Sequence, residues 1–291
     1  GRYLGTAVDV ILSFFLFGVA VIMIAGAGTL VEQQFGLPSI YGTIGMTGIT
    51  ILTLLLNVDK IINIISAFTP ILLVMMIIVC GYSIFNNDLS TAEISGFAQV
   101  ENAVSSSWIM GALLYVSFNI AVGFSMLSVI GGTLKNKKQA ALGGLIGGVL
   151  LGILLLLINI GMMADLKNVH NVDMPTLHLA NQLSPLFGNL LSIILLAMIY
   201  NTCVGMFYAF TARFVPKESK YFNPSVTVVG IAGFASSFVG FASLVGTVYP
   251  IMGYVGFILL GGVILSWFRS LHHSPKDIKT SSIDKREKEI S

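Results

Sequence analysis

Charge is the scarcest property of this chain. Charged residues make up 10% of its 291 positions, hydrophobic residues make up 55%, and the formal net charge is +2. This composition excludes a water-soluble globular domain, and so small a basic excess predicts no nucleic-acid partner. Cysteine is also rare: Cys80 and Cys203 lie inside apolar runs, where we expect buried reduced thiols rather than a redox or metal motif.

Enzyme signatures are missing as well. The chain contains no His-Glu-x-x-His, no Gly-x-Ser-x-Gly and no paired aspartates within its apolar runs. Its four histidines, His170, His178, His272 and His273, lie outside those runs. We therefore expect neither an enzyme nor a bound metal or cofactor.

The chain is rich instead in long hydrophobic runs. Each approaches the ~20 residues needed to cross a hydrocarbon core, and each predicts a helix because backbone groups in lipid must pair within their own segment. The eight predicted spans are 6–30, 38–57, 61–85, 107–131, 139–164, 187–212, 224–245 and 247–268. The sequence thus predicts an all-α integral membrane protein with eight transmembrane helices, in one bundle over 1–268 and a polar cytoplasmic tail over 269–291.

Positive charge marks one side of this bundle. Placing the loop with Lys135, Lys137 and Lys138 in the cytoplasm puts fourteen of the fifteen Lys and Arg residues there and leaves Lys167 outside. The positive-inside rule then predicts a multi-pass protein of the cell membrane with both termini cytoplasmic.

Two of the outer loops are long enough to cover an external vestibule. Asp173, Met174 and Pro175 predict the start of a short helix along 177–183, and a second short helix is predicted from Asp88 or Ser90 toward Ala103. A plain solvated loop is the alternative in both cases.

Uncharged polar residues interrupt two of the predicted spans. The fourth span contains Tyr115, Ser117, Phe118, Asn119 and Gly123, and a helix broken there would offer backbone groups to a solute at mid-membrane. Hydrogen bonding of these side chains to neighbouring helices is the equal alternative.

The sixth span contains Asn201 and Thr202, whose oxygens suit a cation such as Na⁺. A threonine in a helix is, however, more often satisfied by the preceding turn. Glycines at small-xxx-small spacing, among them Gly28 in the first span and Gly144 and Gly148 in the fifth, predict close helix packing.

Three segments carry a family resemblance: Met23-Ile-Ala-Gly-Ala-Gly-Thr-Leu, Glu32-Gln-Gln-Phe-Gly-Leu-Pro and Tyr115-Val-Ser-Phe-Asn-Ile. The chain resembles the bacterial YkvI-like membrane proteins, which are similar to the amino acid–polyamine–organocation transporters with ten helices in two inverted repeats of five. The resemblance implies that the eight spans correspond to family helices three to ten and that the first two family helices lack a counterpart in this chain.

The same resemblance assigns roles to residues. The fourth span corresponds to the broken sixth family helix, so Ser117, Phe118, Asn119 and Gly123 fall in one half of the substrate site. Asn201 and Thr202 fall in the region that some members use for sodium.

The expected function is a secondary active transporter of a small zwitterionic or amine, amino-acid-like solute, working by alternating access with Na⁺ or H⁺ coupling. Its expected partners are that solute and membrane lipid. The alternatives are a non-transporting sensor or receptor-like protein on the same scaffold, and an inactive N-terminally truncated fragment.

Overall fold

The structure, a computed structural model, describes residues 2–56, 68–86, 107–133 and 136–272, and every regular element in those ranges is a helix. In chain order the helices are α1 (Arg2–Phe35), α2 (Ser39–Leu56), α3 (Phe68–Asn86), α4 (Trp108–Thr133), α5 (Lys137–Ala164), α6 (Leu166–Val169), α7 (Pro175–Leu183), α8 (Pro185–Phe214), α9 (Phe222–Ser237) and α10 (Phe241–His272).

Several of these helices are long and apolar enough to cross a membrane. In the described ranges six qualify, namely Val10–Phe35, Ser39–Leu56, Phe68–Asn86, Lys138–Ala164, Pro185–Phe214 and Phe241–Gly262, and Trp108–Gly123 is a shorter apolar helix. The predicted all-α membrane fold is confirmed. Of the two predicted spans that are not among these six, one contains Trp108–Gly123. The other corresponds to α9, whose 16 residues measure about 24 Å, short of a ~30 Å hydrocarbon core.

The boundary between the last two predicted spans also differs. The sequence predicted a break between 245 and 247, whereas α9 ends at Ser237 and α10 begins at Phe241. Gly240 makes the turn with φ +96°, a conformation that favours glycine because it lacks a Cβ. The turn residues Phe238 and Val239 are apolar, so a hydropathy profile runs through this turn without a drop.

Helix α1 lies at the centre of the bundle. It packs against α2, α8, α9 and α10, and Ala20, Ile22 and Ile24 are completely buried. Two glycines allow α1 and α2 to touch: a Cβ on Gly42 would lie 2.5 Å from the carbonyl oxygen of Ala27, and a Cβ on Gly28 would lie 2.7 Å from the Thr43 methyl group. The predicted glycine packing is therefore present at α1.

The glycines of α5 behave differently. Among the described residues, a Cβ added to Gly144 or Gly148 would meet no atom within 4 Å, and the same holds for Gly143, Gly147 and Gly152. Close packing in α5 occurs near its C-terminal end, where a Cβ on Gly161 would lie 2.8 Å from the Cβ of Cys80. There the Ser83 hydroxyl also donates to the Gly161 carbonyl at 2.8 Å. The expectation for the first five glycines of α5 was wrong, because spacing alone does not say which stretch of a helix has a neighbour.

The predicted outer helix along 177–183 is present as α7, which has Pro175 in its first turn. Leu177 and Leu179 bury this helix against the bundle. The side chain of Gln33, at the end of α1, forms two hydrogen bonds with the backbone of Met174, accepting from its N–H at 3.0 Å and donating to its carbonyl at 2.9 Å. The second predicted outer helix, within 88–103, lies outside the described residues, as does the tail after His272.

Candidate functional site

Helix α4 is continuous from Trp108 to Thr133. The predicted interruption around Asn119 and Gly123 is therefore absent, so α4 presents no half-helix ends at mid-membrane. The physical reason is that a single glycine in a long apolar helix costs only ~1 kcal/mol relative to alanine, which is less than the several kcal/mol of an unpaired backbone group in lipid.

Ser117 and Phe118 attach α4 to α10. Ser117 is fully buried and its hydroxyl donates to the Gly253 carbonyl at 2.7 Å. The Phe118 ring stacks on that of Tyr249, with centroids 4.4 Å apart and planes inclined by 24°. These contacts match the helix-packing interpretation of the polar cluster.

The other members of the cluster face less closely packed surroundings. The Asn119 amide donates to the Tyr115 carbonyl at 2.8 Å, within its own helix, and Gly123 is half-buried. Tyr115 is 46% exposed and lines a cavity of about 230 Å³ between α4 and α10, together with Phe118 and Tyr249. The structure thus leaves part of the predicted substrate cluster next to an open, mostly apolar space.

Asn201 and Thr202, the predicted cation pair, lie near the middle of α8 but differ in their bonding. The Thr202 hydroxyl donates to the Met198 carbonyl at 3.0 Å, one turn earlier. The side-chain oxygen of Asn201 is buried without a hydrogen-bond partner in the described structure. Asn201 shares a face of α8 with Met198, whose sulfur accepts from the Thr69 hydroxyl of α3 at 3.7 Å.

A row of buried threonines on α2 was missed by the sequence reasoning. Thr43, Thr47, Thr50 and Thr53 are each at most 7% exposed and recur at spacings of three and four residues, which place them on one helix face. We call this row the threonine face. The spacing is visible in the sequence, so a search for helical periodicity among hydroxyl residues would have found it.

Two members of the threonine face have bonded hydroxyls. Thr43 donates to the Ile40 carbonyl at 2.9 Å. Thr53 donates to the Ile49 carbonyl at 2.7 Å and lies 2.6 Å from the Tyr200 hydroxyl of α8. The Thr53 and Tyr200 side chains line a mainly apolar cavity of about 640 Å³ between α1, α2 and α8.

The two threonines between them are unsatisfied. Neither Thr47 nor Thr50 has a partner at hydrogen-bond geometry within the described ranges, although Thr50 faces the Cys203 thiol. Thr47 and Thr50 lie near the midpoint of α2 and Asn201 near the midpoint of α8, so the unpaired oxygens share a similar depth. These oxygens lie at two separate places. Thr50 faces Cys203, and Asn201 projects about 160° away from Cys203 around the axis of α8.

The unpaired oxygens indicate what each of these two places can bind. A buried polar atom without a partner costs roughly 1–3 kcal/mol, so it is a candidate to receive a ligand's hydrogen bond or coordinate a cation. In the described ranges no three His, Cys, Asp or Glu residues lie together in a way that suits a metal ion. The available ligand atoms are therefore uncharged oxygens surrounded by apolar side chains.

Ionisable groups gather at the ends of the bundle. At one end Asp165, 4% exposed, accepts from Asn168 at 2.7 Å and from Gln182 at 2.6 Å, with the His178 imidazole 4.0 Å away. This network joins the end of α5 to α7. Lys217 and Lys220 lie at the opposite end, in the turn between α8 and α9.

Fold and site together define a multi-pass helical membrane protein with an uncharged polar interior. The chain is 24% identical over 268 residues to the uncharacterized membrane protein YkvI of Bacillus subtilis (strain 168), an alignment that covers 91% of this chain and 74% of YkvI. It is also 24% identical over 269 residues to the uncharacterized protein YyaD of the same strain, covering 91% of this chain and 76% of YyaD. The chain is thus a homologue of YkvI, which confirms the YkvI-like resemblance.

No family model matches the chain. No solved structure matches it either. The link to the amino acid–polyamine–organocation superfamily therefore stays a prediction from the sequence.

Proposed function

We propose that this protein is a secondary active transporter of a small zwitterionic or amine solute, coupled to a cation and resident in the cell membrane with both termini in the cytoplasm. The observation that carries the proposal is the unpaired oxygen of Asn201, buried near the midpoint of α8. Transporters of this kind place their solute and ion sites near the bilayer midplane.

The type of donor supports this class of solute. The Asn201 amide and, at a separate place, the Thr47 hydroxyl offer neutral oxygens with free lone pairs, which accept hydrogen bonds from an ammonium group or coordinate Na⁺. A formally charged side chain at this depth would cost several kcal/mol. Sodium coupling fits this arrangement better than proton coupling, since amide and hydroxyl groups do not titrate.

The outer helix α7 lies across the end of α1, where an external gate would have to open. Gln33 bonds to the backbone just before α7, and Gln34 bonds to Asn181 of α7 at 2.8 Å. Leu177 and Leu179 are also buried, which stabilises the docked helix by roughly 1.5–3 kcal/mol for each leucine. Opening at this end would therefore move α7 together with the helices it packs against.

The second candidate is a solute sensor that binds without transport. It is favoured by the continuity of α4, because an unbroken helix gives no hinge between two half-helices. A sensor would use the same oxygens for binding, and only the measurement of flux separates the two functions.

The test is uptake into proteoliposomes that contain the purified protein. Radiolabelled amino acids are supplied one by one, with an inward Na⁺ gradient or with Na⁺ equal on both sides. We expect gradient-dependent uptake of at least one amino acid, with loss of uptake in Asn201→Leu. Thr227→Val is the control, since the Thr227 hydroxyl bonds within α9, away from both places.

Two outcomes would contradict the proposal. Full uptake in Asn201→Leu would remove that residue from the site. Amino-acid binding, detected as a thermal shift, without uptake under any gradient would favour the sensor.

A further inference from the structure

A cavity at the end of the bundle that carries Lys217 and Lys220 has no role in the proposed transport. It has a volume of about 470 Å³ and lies between the last turn of α8 and the first turns of α9. Its walls are almost entirely apolar and include Phe210, Phe214, Tyr221, Pro224 and Val228. Because Phe214 and Val228 are both about two-thirds exposed, the cavity opens to the side, where a bilayer would place acyl chains.

A buried hydroxyl breaks this apolar lining. Thr211 is 2% exposed and lines the cavity. Its oxygen has no hydrogen-bond partner in the part of the chain that the structure describes. An unpaired buried hydroxyl costs roughly 1–3 kcal/mol of stability. A ligand whose oxygen accepted a hydrogen bond from Thr211 would remove that penalty.

Two lysines lie in the turn between α8 and α9, beside this cavity. The Lys220 ammonium lies 5.1 Å from the centroid of the Tyr221 ring, which itself lines the cavity. The Lys217 ammonium lies 5.6 Å from the Tyr208 ring. Both lysines are exposed, so the aromatic contacts position their charges without enclosing them, and the intervening Glu218 is the one acid among residues 210–229.

From these features we infer that the cavity binds an anionic phospholipid. One acyl chain fills the apolar space, the phosphate lies between Lys217 and Lys220, and an ester oxygen accepts from the Thr211 hydroxyl. A basic pocket between transmembrane helices is the arrangement that recognises anionic headgroups, and each nearby lysine strengthens attraction to an anionic surface by about 5-fold. The positive-inside rule places this turn at the cytoplasmic leaflet, where anionic lipids reside.

The apolar volume favours a lipid over a free phosphate. A small water-soluble phosphate would use the lysines alone and leave the 470 Å³ apolar space without a function. A zwitterionic lipid would fill the space and gain less from the lysines. The inference does not depend on transport and holds equally for a sensor.

The experiment uses the purified full chain, stripped of lipid in detergent and titrated with three probes while thermal stability and native mass are followed. The probes are phosphatidylglycerol, phosphatidylcholine with the same acyl chains, and glycerol 3-phosphate. We expect phosphatidylglycerol to bind at least 10-fold more tightly than phosphatidylcholine and glycerol 3-phosphate to have no effect. In Lys217→Gln/Lys220→Gln we expect the affinity for phosphatidylglycerol to fall roughly 25-fold.

Matched controls separate this effect from general damage. Lys167→Gln removes an exposed lysine at the other end of the bundle and should leave binding unchanged. Ser225→Phe fills the cavity and should abolish binding, while Ala235→Phe adds the same ring at an exposed position of α9 and should not. Equal affinity for the two lipids, equal binding of glycerol 3-phosphate, or unchanged binding in the double lysine variant would overturn the inference.

Discussion

The contact between α1 and α2 supplies the sharpest test of the packing. A methyl group added at Gly42 would lie 2.5 Å from the Ala27 carbonyl oxygen and 2.8 Å from the Gly28 Cα. Both obstacles are backbone atoms of a buried helix, so neither can rotate away. Gly42→Ala must therefore push the two helices apart or strain them, and overpacking of this kind costs about 1–3 kcal/mol.

The same helix contains the matched control. Gly45 lies one turn later and a Cβ there would meet nothing within 4 Å. Gly45→Ala removes a flexible residue from a helix interior, so it should be neutral or stabilising by about 0.5–1 kcal/mol. The two substitutions are chemically identical and differ only in what the new methyl group touches.

The assay is equilibrium unfolding of the purified protein in mixed detergent micelles, supported by thermal melting. For a chain of this size, 1 kcal/mol corresponds to roughly 2–4 °C, so Gly42→Ala should melt about 2–12 °C below the parent protein. If Gly42→Ala and Gly45→Ala had the same melting temperature, at or above that of the parent protein, the close contact between α1 and α2 would be refuted.

Three further substitutions test individual hydrogen bonds. Ser117→Ala removes the bond to Gly253 between α4 and α10 and should lower the free energy of unfolding by about 0.6–2 kcal/mol in the detergent assay. Tyr200→Phe removes the hydroxyl next to Thr53 and should cost about 0.5–1.5 kcal/mol in the same assay. Gln33→Ala removes both bonds to the Met174 backbone and should speed amide hydrogen exchange in α7 by about 10-fold, the effect of roughly 1.4 kcal/mol in local opening.

Each of the three has a control of the same chemistry. Ser236→Ala removes a hydroxyl that bonds within its own helix, and Tyr254→Phe removes one from a side chain that is 54% exposed. Glu32→Ala truncates an exposed neighbour of Gln33. Equal effects in a variant and its control would show that the interhelical hydrogen bond contributes nothing specific to stability. Unchanged hydrogen exchange in α7 after Gln33→Ala would show that Gln33 does not stabilise this helix.

The candidate site was foreseen in part. Asn119 and Asn201 look alike in sequence, since each is an amide in the middle of an apolar span. The structure distinguishes them: Asn119 bonds to the carbonyl one turn before it, whereas the Asn201 oxygen has no partner within the described residues. Whether a polar side chain is satisfied depends on the rotamer it adopts and the helix it faces, and hydropathy records neither.

The sequence alone determined the class of protein. A bilayer requires long apolar segments with internally paired backbone, and this requirement is local, so composition and run length reveal it without knowledge of contacts. The start of α7 was predictable for a similar reason, because a proline at a first helical turn acts through its own backbone.

The tertiary structure decided every property that depends on a partner distant in the chain. Gly42 and Gly45 share a helix and a residue type, yet α1 touches only one of them. The same holds for the threonine face, where Thr53 meets Tyr200 while Thr47 lacks a partner. Local spacing places residues on a helix face, but only the packing of helices determines what that face contacts.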